Sequence, residues 1–502
     1  MTTHDWRHYF WRNTVTNYAR TILRLLSGVV LFRLTFQHLP QEAFGFYSLL
    51  WSLFGYTILL DFGLGFTAQK AVAQMTADNR IDHLNHLICT IFWTFAFLGA
   101  VMLAGFSVVQ PWFLDWVKVS AANRAAFGLS YKIFVCAMAL AFPIGIFPEM
   151  LRGLQRIDLA NSVTIVALLV NLGLLTWGLL AGWSLPVIVF ISVATTVAPN
   201  FAALVMVFRR IHGLSLHPRH FRFRAIQGVL SFSIVAYLIT FTNLIMSRTD
   251  QAVISFSIGV GFIALYQAGY KASEMFGLFS VQMQEAISPA AARMNATKDE
   301  DGLRDLLVKS SRLTLLLTAP LYGLCAVYLE PLIKILTGLK TLDPSTWWVG
   351  QSLLLATFSS LLTSSCSKRI LMMCGWERSL LKASLVDAGI NLVASLVLVF
   401  KFGVLGVALG TMIPTIFVGW LWIVPMTARF LKQGVAGMLL SFTEGVRLPV
   451  ASALAVLAAL RWLAPLPASA GFGGCIWRGA LVMAVLAVTG RPFLKSIRKG
   501  AA

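Results

Sequence analysis

Three arginines, Arg20, Arg24 and Arg33, fall inside one apolar run of this chain, where a fixed positive charge is costly and therefore informative. Arg20 and Arg24 are one helical turn apart and share a face, whereas Arg33 points roughly opposite on a straight helix. The chemistry open to such cations is pairing with an anion. Arg24 is the best placed for it, since Arg20 and Arg33 lie near enough to the ends of the run to snorkel. Further along, Arg248 and Asp250 flank a turn between two apolar runs, and Lys271 and Glu274 sit one turn apart. Each set can close an ion pair on itself or present its charge to a ligand. Ser384, Asp387, Asn391 and Ser395 recur at helical spacing and make a polar stripe on an otherwise apolar helix. Such a stripe either bonds neighbouring helices or carries a coupling proton or cation.

The elements that must hold these groups are set by the solvent. The chain has 502 residues, 58% hydrophobic and 12% charged, with a mean hydropathy of +0.78, and a soluble domain carries about twice that charged fraction. Apolar runs long enough to cross a bilayer recur along the whole length, and period-2 alternation is absent. The fold class expected is an all-α integral membrane protein, because each helix satisfies its own backbone polar groups. The spacing predicts about 14 transmembrane helices, near 16–36, 43–65, 86–108, 129–148, 160–181, 185–208, 228–247, 252–275, 311–332, 347–366, 380–400, 402–425, 446–464 and 473–490.

The net charge of +20 would suggest nucleic acid were it not for its distribution. Roughly 27 of the 40 Lys and Arg fall in the termini and even-numbered loops, against about 7 in the odd-numbered ones, which predicts both termini on the cytoplasmic side. The basic stretch RRIHGLSLHPRHFRFR, from Arg209 to Arg224, lies in one of those even loops and is expected to meet anionic lipid headgroups. Six cysteines without CxxC spacing read as small core hydrophobes. The first apolar run is long and has no small-residue cleavage site, so it is expected to stay as a span.

An internal repeat organises the chain. GFYSLL around Tyr47 pairs with ALYQAG around Tyr266, RGLQRIDLANS with MCGWERSLLKAS, Asn171 with Asn391, and Arg33 with Arg248, all at offsets of 215 to 222 residues. The offset spans six helices, an even number, so the two copies are parallel-related lobes, about 1–215 (helices 1–6) and 216–430 (helices 7–12). Residues 431–502 add helices 13 and 14 and a basic tail. The stretch LLDFGLGFTAQKAVAQ ends the second span: Asp61 sits where water or headgroups reach it, Gly63 and Gly65 permit a bend, and a short interfacial helix carrying Lys70 follows. Between helices 8 and 9, TKDEDGLRDLLVKSSR is expected as an amphipathic surface stretch. Pro143, Pro199, Pro320 and Pro414 predict kinks.

Nucleotide-driven and metal chemistry are excluded by motif: there is no GxxxxGK[ST], no HExxH and no His/Cys cluster. Asn295 heads an NAT sequon, but in an expected cytoplasmic loop.

The hairpin RLTFQHLPQEAFGFYSLLWSLFGYTILLDFGLGFTAQKAVAQ, with Gly45, Tyr47, Asp61 and Gly63, resembles the bacterial polysaccharide biosynthesis proteins. These are the lipid-linked oligosaccharide flippases of the multidrug, oligosaccharidyl-lipid and polysaccharide exporter superfamily. SRTDQAVISFSIGVGFIALYQAGYKASEM is similar at Asp250 and Tyr266, and VLGVALGTMIP is similar to the twelfth span; the likeness covers most of residues 10–430. FSIGV departs from the pattern in lacking a glycine-rich turn. The resemblance implies a flippase, not an enzyme, without cofactor. It moves an undecaprenyl-pyrophosphate-linked oligosaccharide between leaflets of the bacterial inner membrane by alternating access, alongside other polysaccharide-assembly membrane proteins. Cavity cations would neutralise the pyrophosphate: Arg24, Arg248 and Lys271, with Arg20 and Arg33 as further candidates. Asp61, Asp250, Glu274, Asp387 and Asn391 are the candidates for ion coupling or gating. Two alternatives stay open: a proton- or sodium-coupled multidrug exporter of the same fold, and a membrane glycan polymerase, ligase or assembly scaffold.

Overall fold

A computed structural model of the chain describes residues 5–55, 64–77, 81–223, 234–284, 287–463 and 472–492, and every regular element among them is helical. The protein is a multi-pass membrane protein. Among the described residues seven helices are long and apolar enough to cross a bilayer, and an eighth crossing is added if one bent pair is taken as a single span. The other expected crossings fall on helices that are shorter, more charged or continuous with residues outside the described set.

The chain divides into two compact units, Met1–Tyr237 with Gly259–Ile263, and Leu238–Ile258 with Ala264–Ala502. The first is built from α1 (Asp5–His38), α2 (Gln41–Gly55), α3 (Leu64–Ala77), α4 (Ile81–Trp116), α5 (Arg124–Ile144), α6 (Ile146–Gly153), α7 (Ile157–Leu180) and α8 (Leu185–Phe208). The buried carboxylate of Asp158, at the start of α7, ties α1 down. It takes ion pairs from Arg12 at 3.0 Å and Arg156 at 3.2 Å. Its backbone N–H donates to Asn13 Oδ1 at 2.8 Å. Gly153 closes α6 against α3, where a Cβ would meet Gln69 O at 2.4 Å. The expected interfacial helix after residue 65 is thus α3, with Ala68, Ala71 and Val72 buried and Lys70 exposed.

The basic stretch runs as an ordered strap along α4. Asn85 bonds Gly213 O and the Ser215 N–H, Trp93 Nε1 donates to Leu216 O at 2.9 Å, and Thr90 bonds both polar backbone groups of Arg222. In this unit, too, the Val260 N–H donates to Val117 O at 3.1 Å, and Gly45 of α2 lies so close to Val260 O that a Cβ would stand 2.0 Å from it. The turn is made by Gly259, whose φ of +118° only glycine adopts without strain.

The second unit holds α9 (Ile234–Ser257, almost all of it), α10 (Ile263–Gln284), α11 (Ile287–Ala296), α12 (Glu300–Val327), α13 (Leu329–Thr337), α14 (Pro344–Ser360), α15 (Cys366–Met373), α16 (Glu377–Phe402), α17 (Val404–Val418), α18 (Val424–Phe430), α19 (Val435–Thr443), α20 (Arg447–Leu463) and α21 (Phe472–Thr489). The mixed-charge stretch expected on the surface is the first half of α12 and continues into the membrane. Asp299 caps it by accepting from the Gly302 N–H at 2.8 Å. The bent pair is α19 and α20, which meet at 67°.

α16 and α17 are joined at Gly403 (φ +57°) and pack backbone to backbone. A Cβ on Gly406 would meet Leu398 O at 2.1 Å and one on Gly410 would meet Ser395 Oγ at 2.3 Å, so only glycine allows the approach. That contact fixes the register between the polar stripe of α16 and the residues of α17.

Candidate functional site: a cationic cavity and a buried carboxylate network

A cavity of about 420 Å³ opens inside the first unit. Arg20 and Arg24 reach it from α1, Tyr47 and Trp51 from α2, Glu149 and Arg152 from α6, Asn171 from α7, and Ser192, Thr195 and Asn200 from α8. Three arginines therefore face one glutamate. Glu149 is held by Arg152, one turn later on the same short helix. Arg20 donates to Asn17 Oδ1 at 3.0 Å and feels the charges of Arg152, Arg24 and Glu149. Among the described residues no carboxylate lies within ion-pair distance of Arg20 or Arg24. That surplus of positive charge could pair with an anion bearing several acceptor oxygens.

The polar wall opposite is fixed by its own bonds. Tyr47 and Ser192 share a hydrogen bond of 3.0 Å, and Asn171 Nδ2 donates to Thr195 Oγ1 at 2.6 Å. Thr195 donates in turn to Ile191 O at 2.7 Å. Side chains locked in this way lose little freedom when a ligand arrives.

The second unit carries a buried network around Asp250 of α9. Tyr266 of α10 donates to Asp250 Oδ2, and the Thr411 hydroxyl of α17 lies 3.2 Å from each carboxylate oxygen. Asn391 of α16 donates to Thr411 Oγ1 at 3.0 Å. Asp387, one turn earlier on the same face, is buried within the field of Lys368 on α15. Among the described residues, Asp387 Oδ1 and Asn391 Oδ1 find no hydrogen-bond partner. Two buried oxygens without a donor, beside the Asp250 carboxylate network, leave acceptor capacity that a proton or a small cation could use.

The expected site residues separate accordingly. Arg20 and Arg24 come together in the cavity, and Arg33 lies exposed outside its lining. Arg248 is exposed on α9, and Lys271 Nζ pairs with Glu274 Oε2 at 2.7 Å on α10. Asp250 and Asn391 share one network, with Asp387 a turn away. Asp61 and Gly63 lie outside the described residues. Glu149, Arg152 and Thr411 were not singled out from sequence. The first two had a signal in the acid–base pair of PEMLRG just after Pro143 and Gly145; Thr411 had none beyond its place in an apolar helix.

Tyr47 and Ser192 are 145 residues apart, and so are Tyr266 and Thr411, each pair lying 219 residues from the other. The bonding Tyr–hydroxyl positions thus recur at the offset of the sequence repeat. Among the described residues, only the second pair bonds a carboxylate, Asp250, and the residue 219 before it is Leu31.

The profile of the polysaccharide biosynthesis protein family matches residues 10–295. The chain belongs to that family. Its fold is similar to those of several solved membrane proteins. The lipid II flippase MurJ in an inward closed conformation aligns with a TM-score of 0.67 at 13% identity, over 97% of this chain and 99% of that one. An inward-facing multidrug resistance MATE transporter of the MOP superfamily aligns at 0.66 and 13% identity, over 82% and 96%. A MOP-superfamily transporter from Pyrococcus furiosus Vc1, described as having a binding pocket of reverse polarity, aligns at 0.56 and 12%, over 85% and 96%. Among curated proteins, none matches the chain's sequence.

Proposed function

We propose that this polysaccharide biosynthesis family protein is a flippase that carries an undecaprenyl-pyrophosphate-linked oligosaccharide from the inner to the outer leaflet of the bacterial cytoplasmic membrane, with both termini cytoplasmic. The observation that carries the reading is the arginine surplus of the cavity, Arg20, Arg24 and Arg152 against Glu149. A diphosphate cannot enter hydrocarbon without fixed cations to replace its water. Asn171, Asn200 and Thr195 offer neutral donors and acceptors beside those cations, as hydroxylated sugars require. The prenyl tail stays in lipid, so the cavity handles only the polar head. No bond changes in this process, and the protein acts as a transporter.

Two six-helix lobes, 1–215 and 216–430, followed by 431–502, would alternate access to the two sides. A monovalent cation or proton at Asp250, Asn391 and Asp387 would couple to that alternation. Arg248, Lys271 and Glu274 serve as secondary contacts on the cargo or gate.

Proton- or sodium-driven multidrug export is the second reading, and Trp51 and Tyr47 in the cavity favour it, because aromatic faces attract organic cations. The discriminating experiment offers proteoliposomes two cargoes, a fluorescent polyprenyl-pyrophosphate oligosaccharide and a cationic dye under an ion gradient. Rapid transfer of the glycolipid and none of the dye supports the flippase. Ion-driven dye export, with glycolipid transfer no faster than in empty vesicles, replaces it with the exporter.

A further inference from the structure

α8 has two working faces. Ser192, Thr195 and Asn200 look into the cationic cavity, whereas Phe190, Ala194, Ala198 and Phe201 lie roughly opposite on the helix and line an apolar groove against α5. The groove has a volume of about 590 Å³ and one cation, Lys132, which shares a face of α5 with Cys136 and Leu140 at i, i+4 and i+8. Lys132, Cys136 and Ala198 are exposed, and Phe190 and Phe201 stand out by 58% and 43%, walling a trough floored by small side chains.

We propose that this groove holds one acyl chain of an anionic phospholipid, with the lipid phosphate paired to Lys132. The dimensions select the occupant. Lys132 to Leu140 covers about 12 Å and Phe190 to Phe201 about 17 Å at the helical rise of 1.5 Å per residue. Half of a hydrocarbon core near 30 Å thick is about 15 Å. The trough is one leaflet deep. A methylene fills about the same space as a water in the liquid, 30 Å³, so the groove takes on the order of twenty, one acyl chain and well under half of a long polyprenyl tail. Lys132 lies at the end of the groove nearer the α4–α5 turn, where the ammonium reaches the headgroups of that leaflet by snorkelling. A net negative headgroup completes the pair; a zwitterionic one carries its own cation and gains less. Because the chain would press on α8 from behind, it would brace the face that bears Ser192 and Thr195.

Cys136 reads occupancy directly, as an exposed thiol inside the groove. The full-length protein in detergent micelles is treated with N-ethylmaleimide after adding phosphatidylglycerol, phosphatidylcholine or farnesyl phosphate, and alkylation of the Cys136 peptide is followed by mass spectrometry. Phosphatidylglycerol is expected to slow the reaction at least fivefold more than phosphatidylcholine. Lys132→Gln should erase that difference, and Ala198→Trp, which fills the trough from an exposed position, should abolish the lipid effect altogether. Equal slowing by both phospholipids, no slowing by either, or a preference that survives Lys132→Gln overturns the proposal. Stronger protection by farnesyl phosphate assigns the groove to an isoprenoid instead. Protection that follows protein concentration and not lipid assigns it to a second copy of the chain, and either result contradicts the phospholipid site.

Discussion

The Thr411 hydroxyl lies 3.2 Å from both carboxylate oxygens of Asp250, a residue 161 positions earlier in the chain. A carboxylate offers about four lone-pair sites, so Asp250 keeps acceptor capacity even with both Tyr266 and Thr411 donating to it. Asp250→Asn keeps the volume and can still accept from Tyr266 and Thr411, so the fold should survive while the charge that draws a cation is lost. Translocation measured against sodium and pH gradients in proteoliposomes should then lose its ion dependence. An unchanged dependence would remove Asp250 from the coupling role.

Thr411 is also the acceptor of Asn391 Nδ2. Thr411→Val leaves that buried amide without a partner and should destabilise the protein by about 1–3 kcal/mol, seen as a lower unfolding midpoint in detergent. Thr411→Ser should restore most of it. If valine is as stable as threonine, the network does not hold α16 to α17.

Gly410 tests the same contact by shape. A Cβ there would sit 2.3 Å from Ser395 Oγ, whereas one on Gly389 of the same hairpin meets nothing within 4 Å. Gly410→Ala is expected to cost at least the 1–3 kcal/mol typical of overpacking, and Gly389→Ala to be neutral or slightly stabilising. Equal behaviour of the two would show that the helices yield.

Glu42, at the start of α2, is a carboxylate whose pH response has a definite sign. Burial pushes its pKa up, but the Ser120 N–H at 2.6 Å, the Ser120 hydroxyl at 2.8 Å and Asn123 at 2.6 Å outweigh that and hold it below the usual range. A depressed folded-state pKa adds stability that is present above the unfolded pKa and disappears as pH falls through the folded one. Wild type and Glu42→Gln should differ in melting temperature at neutral pH and converge in acid. A gap that widens in acid contradicts the assignment.

The helical membrane fold was legible because hydropathy and charge placement are whole-chain properties, and Arg20 and Arg24 were legible because a cation in an apolar run is conspicuous. Arg33 shows the limit. Its residue type matched theirs, but nine residues along α1 from Arg24 it lies outside the cavity. Arg152 and Glu149 escaped notice since a break at Gly145 starts a new short helix, and the break decides which way both side chains point. Thr411 is silent in sequence for a simpler reason: a threonine in a span normally bonds its own helix, and only the glycine contacts of α16 with α17 bring it to Asn391. Expected crossings also merged or broke locally. The surface stretch before residue 311 is continuous with α12, and the span expected at 347–366 is interrupted by a π turn at Leu361–Ser365, a local widening that hydropathy does not register.

The proposed flippase activity rests on recognition of a pyrophosphate-linked glycan by the cavity's arginines. The most direct test is the rate at which a fluorescent polyprenyl-pyrophosphate oligosaccharide becomes accessible on the far side of proteoliposomes, for wild type and for Arg24→Ala, with melting temperature checked in parallel. A charge-assisted contact of about 1.5–3 kcal/mol corresponds to a loss of roughly 10- to 150-fold, and that loss in a normally folded variant is the predicted result. An Arg24→Ala protein that is folded and flips the glycolipid at the wild-type rate would show that the cavity arginine does not recognise the pyrophosphate.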